Sequence, residues 1–275
     1  MKRILMVGMM GLLASGLSCT EKKPNEAATP GDTSSTARPV EHSERGTAAG
    51  AELPHGASAA DFATAVVNAT KEFNQKPNYA WTTSTKEADG SAGKLGTIEG
   101  KAEKDGVTSL NFTVGGIIPV EVCMKGEKGA AKAMTGWQTF DEIAQEGGTP
   151  ASIVRYLRSY QPPASEAAGL AAKVKELKAA DGVIAGELSE DAVVEQLLVG
   201  SRKREGQAPP QTTGVKGRIK FWIKDGALTR YELQVQGKVT VGDRQSDINR
   251  TTTVEIKDVG STKLEVPAAA KEKLG

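Results

Sequence analysis

The chain has 275 residues, with 35 Lys and Arg side chains against 34 Asp and Glu, so its net charge is close to zero. This balance excludes the broad basic surface that nucleic-acid-binding proteins use, and an aromatic content of 4% leaves few side chains for stacking on bases or sugars. Both histidines, His42 and His55, lie outside residues 58–275, which disfavours histidine-dependent catalysis and histidine-ligated metal there.

The N-terminus predicts export. Lys2 and Arg3 precede an uncharged apolar run over residues 4–17, which is too short to span a bilayer and has the length of a signal-peptide core. Ser18 then precedes Cys19. The run therefore predicts a signal peptide over residues 1–18, and the small residue before the cysteine resembles the lipidation site of bacterial lipoproteins. The alternative is ordinary cleavage, which leaves a secreted protein with an unmodified Cys19.

Residues 19–57 form the second predicted segment, a lipid-anchored flexible linker. They contain no Ile, Phe, Trp, Tyr or Met, so they cannot bury enough apolar surface to fold. Thr20 follows Cys19 where lipoproteins of the inner membrane often carry Asp, a resemblance that implies the outer membrane rather than the inner one. We therefore predict a periplasm-facing protein of the bacterial cell envelope, attached to a membrane through its lipid.

Residues 58–275 predict a single α+β domain. Ser58 caps a helix over residues 59–73, and strands with one apolar and one polar face follow. Asp-Gly pairs at 105–106 and 225–226 separate such strands and predict tight hairpins. A helical insert over about residues 149–200 interrupts the strands, with helices predicted from Thr149-Pro150, over 164–178, and after Ser189. A short strand over residues 182–188 is predicted between the last two helices. We predict a curved antiparallel sheet with the N-terminal helix and the insert covering one face.

The candidate site residues lie on the apolar faces of these strands, where they line a ligand cavity or fill an ordinary core. Both interpretations remain open. The one candidate contact surface is Trp222, on the lysine-bearing face of its strand. Cys123 has no histidine to activate it, so we assign it no catalytic role. The ligand-facing or core candidates are Leu110, Phe112, Val120, Val122, Met124, Ile219, Phe221, Ile223, Leu233 and Val235.

The pattern resembles the LolA/LolB and LppX/LprG group of bacterial envelope lipoproteins and carriers. The resemblance rests on residues 79–82 after the first helix, on Gly136-Trp137, on the strand and turn 219–226, and on the ending 256–267. Residues 251–260 are also similar to a run in uncharacterised bacterial lipoproteins. The resemblance implies a half-open β-barrel whose concave face holds acyl chains or lipoproteins. None of these residues forms a catalytic motif, and with no histidine in residues 58–275 we predict neither an enzyme nor a cofactor.

Two functions follow as hypotheses. The first is a non-enzymatic module that binds a lipid or another hydrophobic small molecule between sheet and helices. The second is a structural or assembly lipoprotein with a filled core, which contacts another envelope protein. A continuous apolar void of several hundred Å³ would favour the first hypothesis.

Overall fold

The computed structural model describes residues 58–75, 78–103, 106–133, 136–199 and 209–275. The predicted signal peptide, Cys19 and the linker lie outside these residues and stay predictions. No helix in the described ranges is long and apolar enough to cross a membrane. The elements in chain order are α1 Ala59–Gln75, β1 Tyr79–Glu87, β2 Ala92–Ala102, β3 Val107–Val114, β4 Ile118–Lys125, β5 Lys128–Ala133, β6 Gly136–Thr139, α2 Phe140–Glu146, α3 Gly148–Arg158, α4 Pro163–Ala171, β7 Val174–Ala180, β8 Val183–Leu188, α5 Glu190–Leu198, β9 Gln211–Lys224, β10 Ala227–Val241, β11 Arg244–Lys257 and α6 Ala268–Leu274.

The eleven described strands form one antiparallel sheet, in the order β6-β5-β4-β3-β2-β1-β11-β10-β9-β8-β7. Strands β1 and β11 join the N-terminal and C-terminal meanders, with Trp81 opposite Ile256. The sheet is not closed, so the predicted α+β class with an open antiparallel sheet is confirmed. Its two faces differ, as the alternating sequence predicts. The inner face packs against α1, α3, α4 and α5, and the outer face carries most of the polar side chains.

The first helix begins as the sequence predicts. The Ser58 backbone N–H donates to Asp61 Oδ2 at 2.8 Å, while the Asp61 N–H donates to Ser58 Oγ at 3.3 Å. This reciprocal pair is a capping box, which satisfies backbone donors that lack partners inside the helix. The helix then buries Val66, Ala69 and Phe73 against the sheet.

The prediction of one helix over residues 164–178 is wrong beyond Ala171. The chain turns after α4 and forms β7, which pairs with β8 through a tight turn at Asp181-Gly182. Both turn residues have positive φ, 52° and 76°, as a type I′ hairpin turn requires. The spacing of Val174 and Leu177 fits a helix face as well as a strand face, so periodicity alone could not decide. The insert over residues 149–200 therefore contains a hairpin as well as helices, and that hairpin extends the sheet.

A short C-terminal helix, α6, was not predicted. It packs on the outer face of β4, β5 and β6, opposite the main core. Cys123, Ala130 and Ala270 are buried between them, and Lys273 Nζ lies 2.8 Å from Glu142 Oε1 of α2. The outer face of the sheet is therefore covered at this end, and Cys123 lies inside a small second core.

Candidate functional site

The ten ligand-facing or core candidates lie together on the inner face of the sheet. Leu110 and Val122 from β3 and β4 and Ile219 and Phe221 from β9 have no exposed surface. Ile223 is partly buried and packs against the same core. The structure thus places these residues in one packed apolar core, and contact with a ligand stays a prediction. The remaining five, all buried in that core, are Phe112, Val120, Met124, Leu233 and Val235.

A second group of inner-face residues is polar and aromatic. It contains all four tyrosines of the sequence, together with one tryptophan and one carboxylate. We call it the Glu166 cluster. It lies where α3 and α4 cover β1 and β10, with its six side chains linked by hydrogen bonds, ring contacts and electrostatic effects. Its members are Tyr79 and Trp81 of β1, Tyr156 of α3, Tyr160 just after α3, Glu166 of α4 and Tyr231 of β10.

Local geometry explains how these side chains meet. Tyr79 and Trp81 are two residues apart on a strand, so both point to the inner face, with ring centroids 5.4 Å apart. Tyr156 and Tyr160 are four residues apart at the end of a helix, with centroids 6.1 Å apart in an edge-on arrangement. The Trp81 indole can lie flat over β2 because Gly100 has no side chain there. A Cβ on Gly100 would lie 2.0 Å from the ring.

Two hydrogen bonds connect the helices to the sheet inside the cluster. The Trp81 indole N–H donates to the Tyr160 hydroxyl at 2.9 Å. The Tyr231 hydroxyl donates to Glu166 Oε2. Both bonds join residues far apart in the sequence, so they fix α3 and α4 against β1 and β10. Buried tyrosine and tryptophan normally find such partners.

Burial dominates the electrostatics of the cluster. It raises the pKa of the Glu166 carboxyl, and the hydrogen bond from Tyr231 offsets this only in part. Burial and then the Glu166 charge raise the pKa of Tyr156 to about 12, and they raise the pKa of Tyr231 well above its ordinary value. Burial therefore makes the ionised form of Glu166 less favourable than that of an exposed glutamate.

Part of the hydrogen-bonding capacity of the cluster is unused. Glu166 Oε1 and the Tyr156 hydroxyl form no hydrogen bond with the residues that the structure describes. The fully buried atoms without partners in that part of the chain are Arg155 Nε and Arg230 Nε, so neither cluster atom is sealed off. Glu166 and Tyr156 indeed keep intermediate exposure. Unpaired polar atoms with some exposed surface therefore lie next to an apolar core.

Sequence reasoning missed this cluster. Periodicity gave Glu166 no role and did not bring these six side chains together. One signal was present, because Glu166 is the only charged residue in α4, Pro163–Ala171, whose other residues are Ala, Gly, Leu, Pro and Ser. A lone carboxylate in an apolar helix that packs on a sheet is a candidate for burial.

The candidate contact surface at Trp222 lies on the outer face. Trp222 is partly exposed, and the guanidinium carbon of Arg230, its cross-strand neighbour, lies 4.6 Å from the ring centroid. An open groove of about 650 Å³ runs beside Arg230 across β1, β11 and β10. Its walls are polar, unlike those of an apolar ligand cavity. They comprise Ser84, Lys86, Glu87, Ala88, Arg230, Glu232, Gln234, Asn249, Thr251 and Thr253.

Two further features bear on chemistry. Burial raises the pKa of the Cys123 thiol, and its contact with Ser109 only partly opposes this, so the reactive thiolate is disfavoured. Among the described residues, no three His, Cys, Asp or Glu side chains come together as a metal site.

One exposed apolar residue was also missed. Ile117, in the turn between β3 and β4, is 84% exposed.

Among solved structures, some proteins are similar to this chain. The chain is similar to LprF from Mycobacterium bovis, with 13% identity and a TM-score of 0.42 over 78% of this chain and 100% of that one. It is also similar to the Mycobacterium tuberculosis lipoprotein LppX, with 9% identity and a TM-score of 0.41 over 75% of this chain and 99% of that one. No family model and no curated protein matches the chain. LppX belongs to the group that the sequence resembles.

Proposed function

We propose that this protein is a non-enzymatic binding module of the bacterial cell envelope, which holds an amphiphilic ligand between the sheet and helices α3 and α4. The apolar part of the ligand packs against the inner-face core, and its polar end contacts the Glu166 cluster. One observation carries this proposal. A carboxylate with a raised pKa and four tyrosines lie inside an interior that is otherwise almost entirely apolar.

The cost of burying Glu166 supports a role in binding. A carboxyl group that leaves water without full hydrogen bonding lowers the free energy of unfolding, whereas a well-packed apolar side chain would raise it. Glu166 has only one hydrogen bond to the described residues, from Tyr231. Buried groups with strongly shifted pKa values concentrate at functional sites. An unpaired carboxylate oxygen beside aromatic rings is a polar end suited to a mostly apolar ligand.

Native mass spectrometry tests this proposal. The full chain is purified from a bacterial membrane extract without harsh delipidation and measured before and after organic extraction. We expect an additional mass that the solvent removes and that is identified as an amphiphile. A clean mass of the protein alone, unchanged after incubation with envelope lipids, would contradict a ligand between sheet and helices.

A second candidate function is binding to another envelope protein. It is favoured by the filled inner-face core and by two outer features, the exposed Ile117 and the partly exposed Trp222. Tryptophan is enriched among residues that dominate protein interfaces. A photo-crosslinking residue placed at each position in living cells would test it. A specific crosslinked band from either position, with none from Lys178 as an exposed control, would support this function over ligand binding.

The membrane anchor belongs to the same proposal. We infer a diacylated Cys19 that holds the folded part near a membrane, with the outer membrane favoured by Thr20. Two or three acyl chains give stable anchoring, whereas one chain is marginal. The Cys19→Ser chain should move from the membrane fraction to the soluble fraction. A substituted protein that still sediments with membranes would exclude this anchor.

A further inference from the structure

We propose that the Glu166 cluster binds a cationic head group, such as an amine or a quaternary ammonium, on an amphiphilic ligand. This inference rests on the proposed function and names the chemistry of the ligand's polar end. It is carried by the placement of a single carboxylate among aromatic rings.

Glu166 has no cationic partner in the described part of the chain. The ion pairs found there join other residues, among them Lys273 with Glu142 and Lys220 with Glu232. The charge of Arg250 lowers the pKa of Tyr156, against the larger effects of burial and Glu166. Its guanidinium donates to the Gln196 carbonyl oxygen at 2.7 Å. A bound cation would supply the positive counter-charge that no described side chain gives Glu166.

The aromatic rings supply the second half of a cation site. An ammonium group within about 6 Å of an aromatic centroid is attracted by the negative face of the ring, and the attraction grows when water is excluded. The rings that keep part of their surface exposed, as Glu166 does, are the edge-on pair Tyr156 and Tyr160. The rings of Tyr79, Trp81 and Tyr231 are buried in the adjoining core. Such groups of rings with a nearby carboxylate are well suited to ammonium ions that carry methyl groups.

Competing head groups fit less well. A phosphate or carboxylate would lie against the Glu166 carboxylate and the negative ring faces, and both contacts are unfavourable. A neutral hydroxyl could bond to Glu166 Oε1 or to the Tyr156 hydroxyl, but it would leave the carboxyl without a counter-charge. Only a cation interacts favourably with both the carboxylate and the rings. Its bound positive charge would also stabilise the ionised form of Glu166.

A matched pair of ligands tests the head group. Dodecyltrimethylammonium and dodecyldimethylamine oxide have the same tail and nearly the same size, but at pH 8 only the first carries a net charge. Binding of each is measured by isothermal titration below its micelle concentration. The protein is the full chain with Cys19→Ser, which needs no detergent. We expect the ammonium compound to bind at least about tenfold more tightly.

Three variants test which residues cause the preference for the ammonium compound. Glu166→Gln should make the two affinities equal while amine oxide binding persists, and Tyr156→Leu should reduce the preference while keeping the apolar volume. Glu142→Gln, at an exposed carboxylate on α2, should change neither affinity. Thermal unfolding of each variant confirms that it is folded, and Tyr156→Leu keeps the proposal testable should Glu166→Gln misfold.

The outcomes separate this inference from the proposed function. Equal affinity of the unsubstituted cluster for both compounds, or a preference that survives Glu166→Gln, would overturn the cationic head group and leave the binding module in place. Failure of both compounds to bind would overturn the binding module itself. A preference that disappears with Glu166→Gln and persists with Glu142→Gln is the result that we expect.

Discussion

Two regions beneath the same sheet are built differently. Under β3 and β4 the interior is apolar apart from the buried Thr108, with Leu110 and Val122 fully buried and the Phe140 ring lying over Gly129. Under β1 and β10 the interior contains the Glu166 cluster. The first region contributes stability by removing apolar surface from water. The second gives up part of that gain, because a carboxyl group and unpaired oxygens lie inside it.

The apolar region should show the largest effect of a single substitution. Leu110→Ala removes a side chain with no exposed surface, and we expect the free energy of unfolding to fall by about 2–5 kcal/mol, measured by urea denaturation. Ile118→Ala, on the next strand and 40% exposed, is the control and should cost less than about 1 kcal/mol. Equal losses at the two positions would mean that the core under β3 and β4 is not tightly packed.

Gly100→Ala tests how the Trp81 ring packs over β2. The added Cβ would lie 2.0 Å from the indole, so the ring must move, and we expect a loss of about 1–3 kcal/mol in the free energy of unfolding. Loss of the hydrogen bond to Tyr160 should also change the tryptophan fluorescence. Gly169→Ala is the control, since nothing lies within 4 Å of its Cβ in α4, and it should raise stability by up to about 1 kcal/mol. A fluorescence spectrum unchanged by Gly100→Ala would refute the flat packing of Trp81.

Glu166 should make stability depend on pH. Its pKa in the folded protein is raised above the ordinary 4.5, so the folded state binds more protons than the unfolded state between these two values. The free energy of unfolding should therefore fall as pH rises through that window, by about 1.4 kcal/mol for each unit of the shift. Glu166→Gln should remove this slope, whereas Glu142→Gln should not. Parallel stability profiles for the unsubstituted and Glu166→Gln proteins would show that Glu166 is not effectively buried.

The contrast between the regions also explains what the sequence could predict. Strand alternation located the apolar region, because residues such as Phe221 and Ile223 recur at a period of two. The Glu166 cluster joins residues from β1, α3, α4 and β10, and no local pattern records which distant side chains meet. Strand β8 was predicted from residues 182–188, but its partner β7 was missed for a related reason. Val174 and Leu177 satisfy a helical and a strand pattern alike, and pairing with β8 decides between them.

The outer face should show the smallest effect. Arg230 stacks on Trp222 with its guanidinium carbon 4.6 Å from the ring centroid, and it lies 3.3 Å from Glu232. Both interactions are partly exposed to water, which screens them, so Arg230→Ala should lower the free energy of unfolding by about 0.5–1 kcal/mol. Lys178→Ala, which breaks an exposed ion pair with Glu176, is the control and should have no measurable effect.

A double-mutant cycle with Trp222→Leu separates the stacking from the ion pair. If the ring carries the interaction, Arg230→Ala should cost less in the Trp222→Leu background than in the unsubstituted protein. An equal cost in both backgrounds would assign the effect to Glu232 instead. A loss above about 2 kcal/mol would place Arg230 with the tightly packed residues of the interior. The outer face would then contribute to stability as the apolar region does. This result would argue against Trp222 as a contact surface for another molecule.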